Sequence, residues 1–471
     1  MASNNGLYWI RRDLRVDDNP ALTRALANGC TQAVFLAPLK TWQQHHKAPI
    51  QIDFIARHLQ WLQQQLSALG MTLTIVEVDD FNAQINYLQE YCQAHNIDHI
   101  YANSEPELDE VKRDQRLATS GLNVHLFEAD VILAKGSVLN NQGQMFKVFT
   151  PFKRAWLQRF MQDYFECLAP PPYQQPAGCL PAAVHFSTEV RSSAKWPLAE
   201  TYMQQVLPVF LTAKLQHYQQ HRDLPGIQGT SGISPYLAIG AISPRRVLSM
   251  LLSHYPELPQ WDSSPLFSWL NELLWREFYR HLLHHFPQLS KHRDFQPKFD
   301  GFYWPGSDQD FALWCQGKTG YPIIDAAMRQ LLKTGWMHNR LRMIVASFLT
   351  KHLLVDWRKG EQFFMQHLLD GDFAANNGGW QWAAGTGCDA QPYFRIFNPL
   401  TQSKRFDPQG DFIRKYLPEL NDIPDNMIHS PQAYLAKQQQ SSNYWPPIVD
   451  LAEGRSRALA HFKQQLDPPL S

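Results

Sequence analysis

The chain has 471 residues, of which 44% are hydrophobic and 18% charged, so it is long enough for two or more domains and too apolar to be disordered. The 43 basic and 43 acidic residues give a formal net charge of +0, so a nucleic-acid partner would have to bind a local basic patch. The six cysteines are scattered without a CxxC pair, which argues against a metal site or a disulfide framework and predicts a reducing compartment.

Short apolar strands and amphipathic helices alternate in the first part of the chain. We predict strands at 6–10, 33–38, 73–78 and 99–104, and helices at 52–70 and 81–95. This alternation predicts an α/β domain of Rossmann-like type, built on a parallel sheet. RRDLRVDDNP follows the first strand where a GxGxxG turn would stand, so a dinucleotide-dependent oxidoreductase is disfavoured.

A proline-rich stretch without periodicity, from about 165 to 195, predicts a connector. Beyond it the strand signal disappears, and amphipathic helices separated by turn signals predict an all-α C-terminal part. We therefore predict an α/β domain at 1–130, a connector at 131–195 and a helical domain at 196–471. No apolar run reaches the length of a signal peptide or a membrane span, so we expect a cytoplasmic protein that binds no membrane.

GTSGISPYLAIGAIS (229–243) contains the first candidate for ligand binding. Ser234 is a good N-cap and Pro235 suits the first turn of a helix. Thr230 and Ser231 add hydroxyls just before that helix, and Gly232 adds flexibility. Hydroxyls and free backbone N–H groups at a helix start can hold an anion, although an ordinary capped helix explains the same segment.

SWLNELLWREFYRHLLHHF (268–286) predicts a helix that carries Trp269, Glu272 and Arg276 near one face, with Trp275 pointing elsewhere. The Glu–Arg pair four residues apart is also the pattern of a solvated salt bridge. Basic residues between Arg280 and Lys298 are interleaved with aromatic ones, which fits a phosphate backbone lying across the surface.

A third candidate segment for ligand binding is TGWMHNRLRMIVASF (334–348). Gly335 should end one helix before another begins at Asn339. Arg342 is either a surface charge or the partner of a buried aspartate.

DGDFAANNGGWQWAAGTGCD (370–389) combines acids, amides, glycines and two tryptophans, Trp380 and Trp382, which need not share a face. Carboxylates and amides can bind ring N–H groups and hydroxyls, and glycine lets backbone approach a flat ligand.

WLNELLWREFYRHLL, GKTGYPIIDAAMRQLLKTGWMHNRLRM and DGDFAANNGGWQWAAGTGCDAQPYFRIFNP resemble the signature blocks of the photolyase/cryptochrome family. WIRRDLRVDDNPAL and KVFTPFKRAW extend the resemblance over nearly the whole chain. Within the family the sequence is most similar to bacterial class I cyclobutane pyrimidine dimer (CPD) photolyases of the folate-antenna type. The resemblance implies a monomer that binds FAD in its helical domain and transfers an electron from light-excited FADH⁻ to dimers in UV-damaged DNA.

The resemblance also assigns roles to residues at matching positions. The FAD contacts would be Tyr218, Thr230, Ser231, Gly232, Ile233, Ser234, Trp269, Arg276, Asn339, Arg342, Asp370, Gly371, Asp372 and Asn376. In this assignment Arg342 pairs with Asp370, and Asn376 lies opposite flavin N5. The contacts to DNA and to the flipped dimer would be Glu272, Trp275, Asn339, Arg340, Met343, Trp382, Arg395 and Gln402. Glu272 would hydrogen-bond the thymine edge, and a chain of Trp380, Trp357 and Trp304 would carry electrons to the flavin.

An antenna of 5,10-methenyltetrahydrofolate would contact Asp109, Glu110 and Lys291. This sequence departs from the family at Asp109, where asparagine is usual, and at Ser290, where close relatives have cysteine. Asp109 adds negative charge near an anionic ligand, so a deazaflavin antenna, or none, stays open. Gly232 likewise replaces an expected arginine in the phosphate loop.

Other functions within the family fit the sequence less well. Cryptochromes often carry Asp or Cys at the position of Asn376 and a long extension after the helical domain, which is not expected here. Photolyases of the (6-4) type carry histidines near Asn339 and Met343; here neither position is His, and His338 is one residue away from the first. A single-strand-preferring relative is disfavoured by Glu272, Trp275 and Trp382 together.

Overall fold

The structure is a computed structural model, and it describes residues 5–163, 166–174, 176–177, 182–260 and 262–466. Cys179 and several positions of the connector predicted at 131–195 lie outside the described residues. The chain divides into two compact units. The first unit consists of Met1–Gln216, Ser231–Ser290 and Leu369–Asp372, and the second of His217–Thr230, Lys291–Leu368 and Phe373–Ser471. The division at residues 130 and 195 stays a prediction.

The first unit contains a five-stranded sheet. Its strands are β1 (Gly6–Ile10), β2 (Gln32–Pro38), β3 (Thr72–Val78), β4 (His99–Asn103) and β5 (Asn123–Phe127). All neighbours pair in parallel, in the order β3-β2-β1-β4-β5, which confirms the predicted parallel sheet. The central strand β1 is buried along its whole length, as expected for a parallel strand covered on both faces. β5 is a half-exposed edge strand with weak apolar patterning, and the sequence did not predict it.

Helices make up the remaining regular structure of the described residues. The α-helices are α1 (Pro20–Ala27), α2 (Leu39–Gln44), α3 (Pro49–Ala68), α4 (Phe81–Ala94), α5 (Leu108–Ala118), α6 (Phe149–Gln162), α7 (Ala199–Thr201), α8 (Leu207–Val209), α9 (Tyr218–His221), α10 (Ser234–Ala238), α11 (Pro244–His254), α12 (Phe267–His285), α13 (Asp308–Cys315), α14 (Pro322–Thr334), α15 (Asn339–Ser347), α16 (Trp357–His367), α17 (Phe373–Ala384), α18 (Pro399–Phe406), α19 (Asp411–Tyr416), α20 (Gln432–Lys437) and α21 (Leu451–Leu466). The π-helical turns are Tyr202–Val206, Phe210–Lys214 and Phe348–His352. The 3₁₀ turns are Leu215–His217, Leu258–Gln260, Pro287–Lys291, Pro297–Phe299, Pro418–Leu420 and Ser441–Asn443.

Local sequence fixes several of these boundaries. Asp80 caps α4 by accepting from the N–H groups of Asn82 and Ala83, and Ser243 caps α11 in the same way. Gly335 ends α14 in the left-handed conformation with φ 73°, which confirms the predicted helix end. Among the described residues, none of the helices combines the length and the apolar character that a membrane crossing requires.

Each unit has its own apolar core. In the first unit, residues of β1, β2 and β4 pack against α4, with Trp9 and Leu88 fully buried. Gly240 is required in this unit because it has φ +66° and any Cβ there would overlap the backbone of Arg12. In the second unit, the largest cluster brings α14, α15, α16 and α17 together around Trp314 and Trp357. The predicted helical C-terminal part is therefore confirmed.

Candidate functional site

The two acids of the DGD sequence lie in the short non-helical segment that precedes α17, and both are buried in the first unit. Asp370 accepts a hydrogen bond of 2.7 Å from Ser234 Oγ. Asp372 forms a two-point ion pair with Arg280, whose Nη1 lies 3.0 Å from Oδ1. Nε of the same guanidinium lies 2.9 Å from Asp130 Oδ2, so Arg280 joins two carboxylates.

The basic side chains beside Asp372 and Asp130 determine the charge state of these two carboxylates. Burial by itself raises the pKa of Asp372, but Arg280 and Arg276 outweigh it and hold that pKa well below its usual range. The pKa of Asp130 is also lowered, because Lys135 and Arg280 outweigh its burial. Burial and the nearby Arg280 lower the pKa of Arg276 to about 10. Both aspartates are therefore ionised at neutral pH.

The sequence predicts Arg280 to belong to a basic surface that contacts a phosphate backbone, and this prediction is wrong. Its side chain is 2% exposed and paired with acids, so it is not part of a basic surface that faces a phosphate backbone. His281 is also buried and accepts from the backbone N–H of Gly136 at 3.3 Å. The spacing from Arg276 places Arg280 one turn further along the same helix, but it does not indicate the buried ion pair, because Asp372 lies 92 residues away.

The helix α10 begins one residue earlier than predicted, so its N-cap residue differs from the predicted one. Ile233 occupies the N-cap position, and its apolar side chain cannot make a cap hydrogen bond. Ser234 is the first helical residue, and its hydroxyl binds Asp370. The predicted N-cap at Ser234 is therefore wrong. Ser231 is held from two sides: Trp269 Nε1 lies 3.3 Å from its Oγ, and Tyr202 donates to its carbonyl oxygen at 2.9 Å.

The helix α12 presents its predicted residues in different environments. Trp269 is buried, whereas Glu272, Trp275 and Arg276 are partly exposed. The ring of Trp275 stacks on Phe149, with ring centroids 3.7 Å apart and planes 7° apart. One face of this tryptophan is therefore covered by protein, and a flat ligand could use only the opposite face or the edge.

In the second unit, α15 begins at Asn339 as predicted. His338 caps it by accepting from the N–H of Arg340. Arg340 forms an ion pair of 2.8 Å with Asp223, and its guanidinium lies 4.5 Å from the centre of the Phe406 ring. Arg340 therefore has a structural role in addition to the predicted contact with DNA.

Arg342 donates from Nε to the carbonyl oxygen of Met337 at 2.8 Å. Its predicted partner Asp370 belongs to the first unit, and that pair stays a prediction. Asn339 is exposed and Met343 half-buried, which leaves parts of both side chains accessible.

The stretch that carries the two tryptophans is the helix α17, so Gly378 and Gly379 lie inside a helix and not in a loop. Residues two apart on a helix point about 200° apart, and Trp380 is 2% exposed whereas Trp382 is half-buried. Gly360 on α16 makes room for Trp380, because a Cβ there would overlap the indole ring. The expectation that the two tryptophans differ in orientation is confirmed.

The amide of Asn376 has a defined orientation. Its Nδ2 donates to the backbone oxygen of Glu361 at 3.0 Å, which leaves Oδ1 as the acceptor atom of that side chain. Asn377 Nδ2 donates to Glu361 Oε1 at 2.8 Å. Glu361 therefore fixes both amides of the pair. Gly379 lies one turn after Asn376, and a Cβ there would meet no atom within 4 Å.

The three tryptophans predicted to carry electrons belong to the second unit. Trp380 contacts Phe364, with ring centroids 5.0 Å apart. Trp357 is fully buried and donates from Nε1 to Asp294 Oδ1 at 3.0 Å. Trp304 is half-buried, with its ring 4.8 Å from that of Phe302. Trp380 and Trp357 are therefore buried, whereas Trp304 is partly exposed.

Other predicted contacts have mixed exposure. Tyr218 is buried, Thr230 and Gln402 are partly exposed, and Arg395 is exposed. Gln402 Oε1 is buried without a hydrogen-bond partner among the described residues.

The predicted antenna residues Asp109 and Glu110 lie in the first turn of α5, beside other charged groups. Arg12 bonds both carboxylate oxygens of Glu107, at 2.8 and 2.6 Å. Burial, followed by the charges of Glu107 and Glu105, raises the pKa of Glu110 to about 8. The raised pKa favours the protonated form of Glu110, which can donate a hydrogen bond. Lys291 is exposed in the second unit.

The donor set fits a flavin dinucleotide. The hydroxyl of Ser231 and the guanidinium of Arg276 suit phosphate oxygens, and the hydroxyl of Ser234, which donates to Asp370, can accept from a ribityl hydroxyl. The two buried carboxylates suit ribose hydroxyls and ring N–H groups. No group of three or more His, Cys, Asp or Glu side chains within the described ranges is arranged to hold a metal ion.

Two family models match the chain. The model described as DNA photolyase matches residues 6–176, and the model described as the FAD binding domain of DNA photolyase matches residues 269–464. The deoxyribodipyrimidine photo-lyase of Escherichia coli is 43% identical over 97% of this chain and 98% of its own length. The protein of the same name from Vibrio cholerae is 46% identical over 97% and 99%. The structure of a class III photolyase from Agrobacterium tumefaciens superposes with a TM-score of 0.76 at 32% identity, covering 99% of this chain and 98% of that one.

Proposed function

We propose, from the premise that the chain belongs to the DNA photolyase family, that it is a light-driven lyase that splits cyclobutane pyrimidine dimers in DNA. The observation that carries this proposal is the full-length similarity, at 43% and 46% identity, to two proteins that share the name deoxyribodipyrimidine photo-lyase. The similarity covers both the part matched by the DNA photolyase model and the FAD-binding part.

The cofactor is FAD, and when bound in its reduced form it supplies the electron that opens the dimer under blue or near-UV light. The buried acids support this assignment. Arg280 keeps Asp372 ionised, so this carboxylate would accept a hydrogen bond from a ring N–H. Asp370, oriented by Ser234, would accept from ribose hydroxyls. The remaining contacts would come from Tyr218, Thr230, Ser231, Gly232, Ile233, Trp269, Arg276, Asn339, Arg342 and Gly371.

Asn376 would set the environment of the flavin ring. Asn376 Nδ2 donates to the backbone oxygen of Glu361, so Oδ1 is the atom that would face flavin N5. An acceptor at that point favours a ring that carries a proton on N5, and it adds no charge. This orientation supports a protein that holds its flavin reduced.

The lesion must leave the duplex to be repaired, and extrusion costs a few kcal/mol, least for a damaged and poorly stacked pair. Trp275 and Trp382 would form apolar walls for the flipped dimer. Stacking on Phe149 makes Trp275 a rigid wall, because its ring is fixed before DNA binds. Glu272, on the same helix, would hydrogen-bond the thymine edge. Arg340, Met343, Arg395 and Gln402 would contact the strand.

We further propose a folate antenna, 5,10-methenyltetrahydrofolate, at Asp109, Glu110 and Lys291. The raised pKa of Glu110 supports it, because a protonated carboxyl beside an anionic ligand removes one repulsive charge and adds a donor. An absorption spectrum of the purified protein tests this assignment. A band beyond that of the flavin identifies an antenna, and extraction of a deazaflavin, or of no second chromophore, would contradict folate.

Repair is tested with two oligonucleotide duplexes, one containing a CPD and the other a (6-4) lesion. Purified protein, reduced with dithionite, is illuminated with blue light, and the products are separated by chromatography. We expect conversion of the CPD duplex only, none in the dark, and strong loss in Glu272→Gln. Conversion of the (6-4) duplex alone, or of neither duplex by protein that holds reduced FAD, would refute the proposed function.

A further inference from the structure

Gln51 connects the helix α3 to the DGD segment. Its Nε2 donates to the carbonyl oxygen of Leu369 at 3.0 Å and to that of Gly371 at 2.8 Å. The Leu369 carbonyl directly precedes Asp370, and the Gly371 carbonyl directly precedes Asp372. The side chain is buried, with 1% of its surface exposed, and the bonds join positions 318 and 320 residues apart. One amide thus fixes the backbone on both sides of the first acid.

The orientation of this amide is itself fixed. Lys47 Nζ lies 3.2 Å from Gln51 Oε1, one turn earlier in the chain. An ammonium can only donate, so it selects the rotamer in which the oxygen of the amide faces Lys47 and the NH₂ group faces the two carbonyls. Lys47 therefore opposes the flipped amide, which would point its oxygen at the carbonyl oxygens and create a repulsion.

The side chains of the segment are held from other directions. Ser234 positions Asp370, and Arg280 positions Asp372. Neither of these contacts restrains the peptide units between the two acids. Because Gln51 bonds the backbone, it sets how far apart and at what angle the two carboxylates leave the chain.

We propose that Gln51 is a positioning residue for the flavin site, acting through the backbone of the DGD segment, with Lys47 fixing its amide. This inference rests on the proposed function only in taking Asp370 and Asp372 as flavin contacts. It predicts that loss of the Nε2 donor changes flavin binding and the electronic environment of the ring, while a change elsewhere on α3 does not.

The test compares Gln51→Glu and Gln51→Leu with Gln60→Glu and Gln60→Leu on the exposed side of the same helix. Gln51→Glu keeps the size of the side chain but removes its donor, and Gln51→Leu removes all polarity. Apoprotein is titrated with FAD, and binding is followed by flavin fluorescence. The loss of two hydrogen bonds predicts a dissociation constant raised at least about tenfold in both Gln51 variants. The Gln60 variants are expected to stay within about twofold.

A second measurement separates positioning from simple stability. The flavin midpoint potential and the vibronic structure of the bound flavin absorption are recorded at saturating FAD. Both are expected to shift in the Gln51 variants, whereas damage to the fold alone would lower the melting temperature of the apoprotein and leave the bound flavin unchanged. Lys47→Met should give a smaller change of the same sign.

Unchanged FAD affinity and potential in Gln51→Leu would overturn the inference, and so would equal effects in the Gln51 and Gln60 variants. These readouts need bound flavin but no DNA. Failure of wild-type protein with reduced FAD to convert either lesion would therefore refute the proposed function without touching the role of Gln51. Wild-type protein that binds no FAD would overturn both.

Discussion

Replacing Arg280 with methionine tests whether the buried guanidinium stabilises the first unit by compensating Asp130 and Asp372. The substitution keeps an unbranched side chain of similar reach and removes the charge. It leaves the buried Asp372 and the half-buried Asp130 without their shared partner, although Asp130 retains Lys135 at 3.3 Å. Removing one member of a buried ion pair typically costs about 3–5 kcal/mol, so we expect a loss of that size in the free energy of unfolding at pH 7.

The pH dependence makes this prediction specific. In the wild type, the pKa of Asp372 lies below its unfolded value of about 3.9 because Arg280 outweighs burial, so its stabilising contribution is present above that pH and is lost as the pH falls through the folded pKa. In Arg280→Met burial dominates, the folded pKa rises above the unfolded one, and protonation relieves the variant as pH falls. The difference between the two proteins should therefore shrink between pH 7 and pH 4.5.

Urea unfolding of the FAD-free proteins, followed by circular dichroism at both pH values, measures this difference. Arg159→Met is the matched control, because Arg159 pairs with Asp163 at 2.8 Å while 47% and 48% of the two side chains are exposed. Such a surface pair contributes about 0–1 kcal/mol. The reasoning is refuted if Arg280→Met costs no more than Arg159→Met at pH 7, or if its cost grows as the pH is lowered.

Four further outcomes are expected. Burial raises the pKa of Glu277 to about 7, so the stability that its protonated form provides is complete below the unfolded pKa and is lost as the pH rises toward 7. Between pH 5 and pH 8 the wild type should accordingly lose up to about 3 kcal/mol relative to Glu277→Gln in urea unfolding, and parallel pH profiles would contradict this. Trp304→Phe should block photoreduction of oxidised FAD, followed by absorption, and spare CPD repair by dithionite-reduced protein; loss of both would exclude an electron-transfer role. Trp275→Ala should weaken binding to CPD-containing DNA more than to undamaged DNA in gel-shift titrations, and because it also removes the stack on Phe149, equal losses on both DNAs would identify a packing role only. Asn376→Asp should shift the flavin midpoint potential to a more negative value, since a carboxylate near the ring opposes electron uptake, and an unchanged potential would place this side chain away from N5.

The sequence predicted those parts of the fold that have a local signal. Four of the strands and the helices α3 and α4 follow from apolar periodicity, and the end of α14 follows from Gly335. The edge strand β5 was missed because it buries little and so carries little pattern. The cap at Ser234 was wrong because a distant carboxylate competes for its hydroxyl, a partner that no local rule contains.

The stretch 370–389 shows where local propensity fails. Adjacent glycines each cost a helix about 1 kcal/mol relative to alanine, yet Gly378 and Gly379 lie within α17. Packing of Trp380 against α16, which Gly360 permits, holds the helix in spite of them. The candidate acids could be named from sequence, but Arg280 and Gln51 could not, because their partners lie 92 and 318 residues away.

The first unit is assembled from three separate stretches of chain, and the last of them is only the four residues Leu369–Asp372. During synthesis the sheet and α3 leave the ribosome long before this segment exists. Until then the amide of Gln51 lacks both carbonyl acceptors, and the guanidinium of Arg280 has Asp130 but not Asp372 as a partner. Contacts of such long range close slowly, since the entropy of the intervening loop must be lost first. Completion of the first unit therefore waits until about half of the second has been translated, so the acids of the flavin site are set in place late in folding.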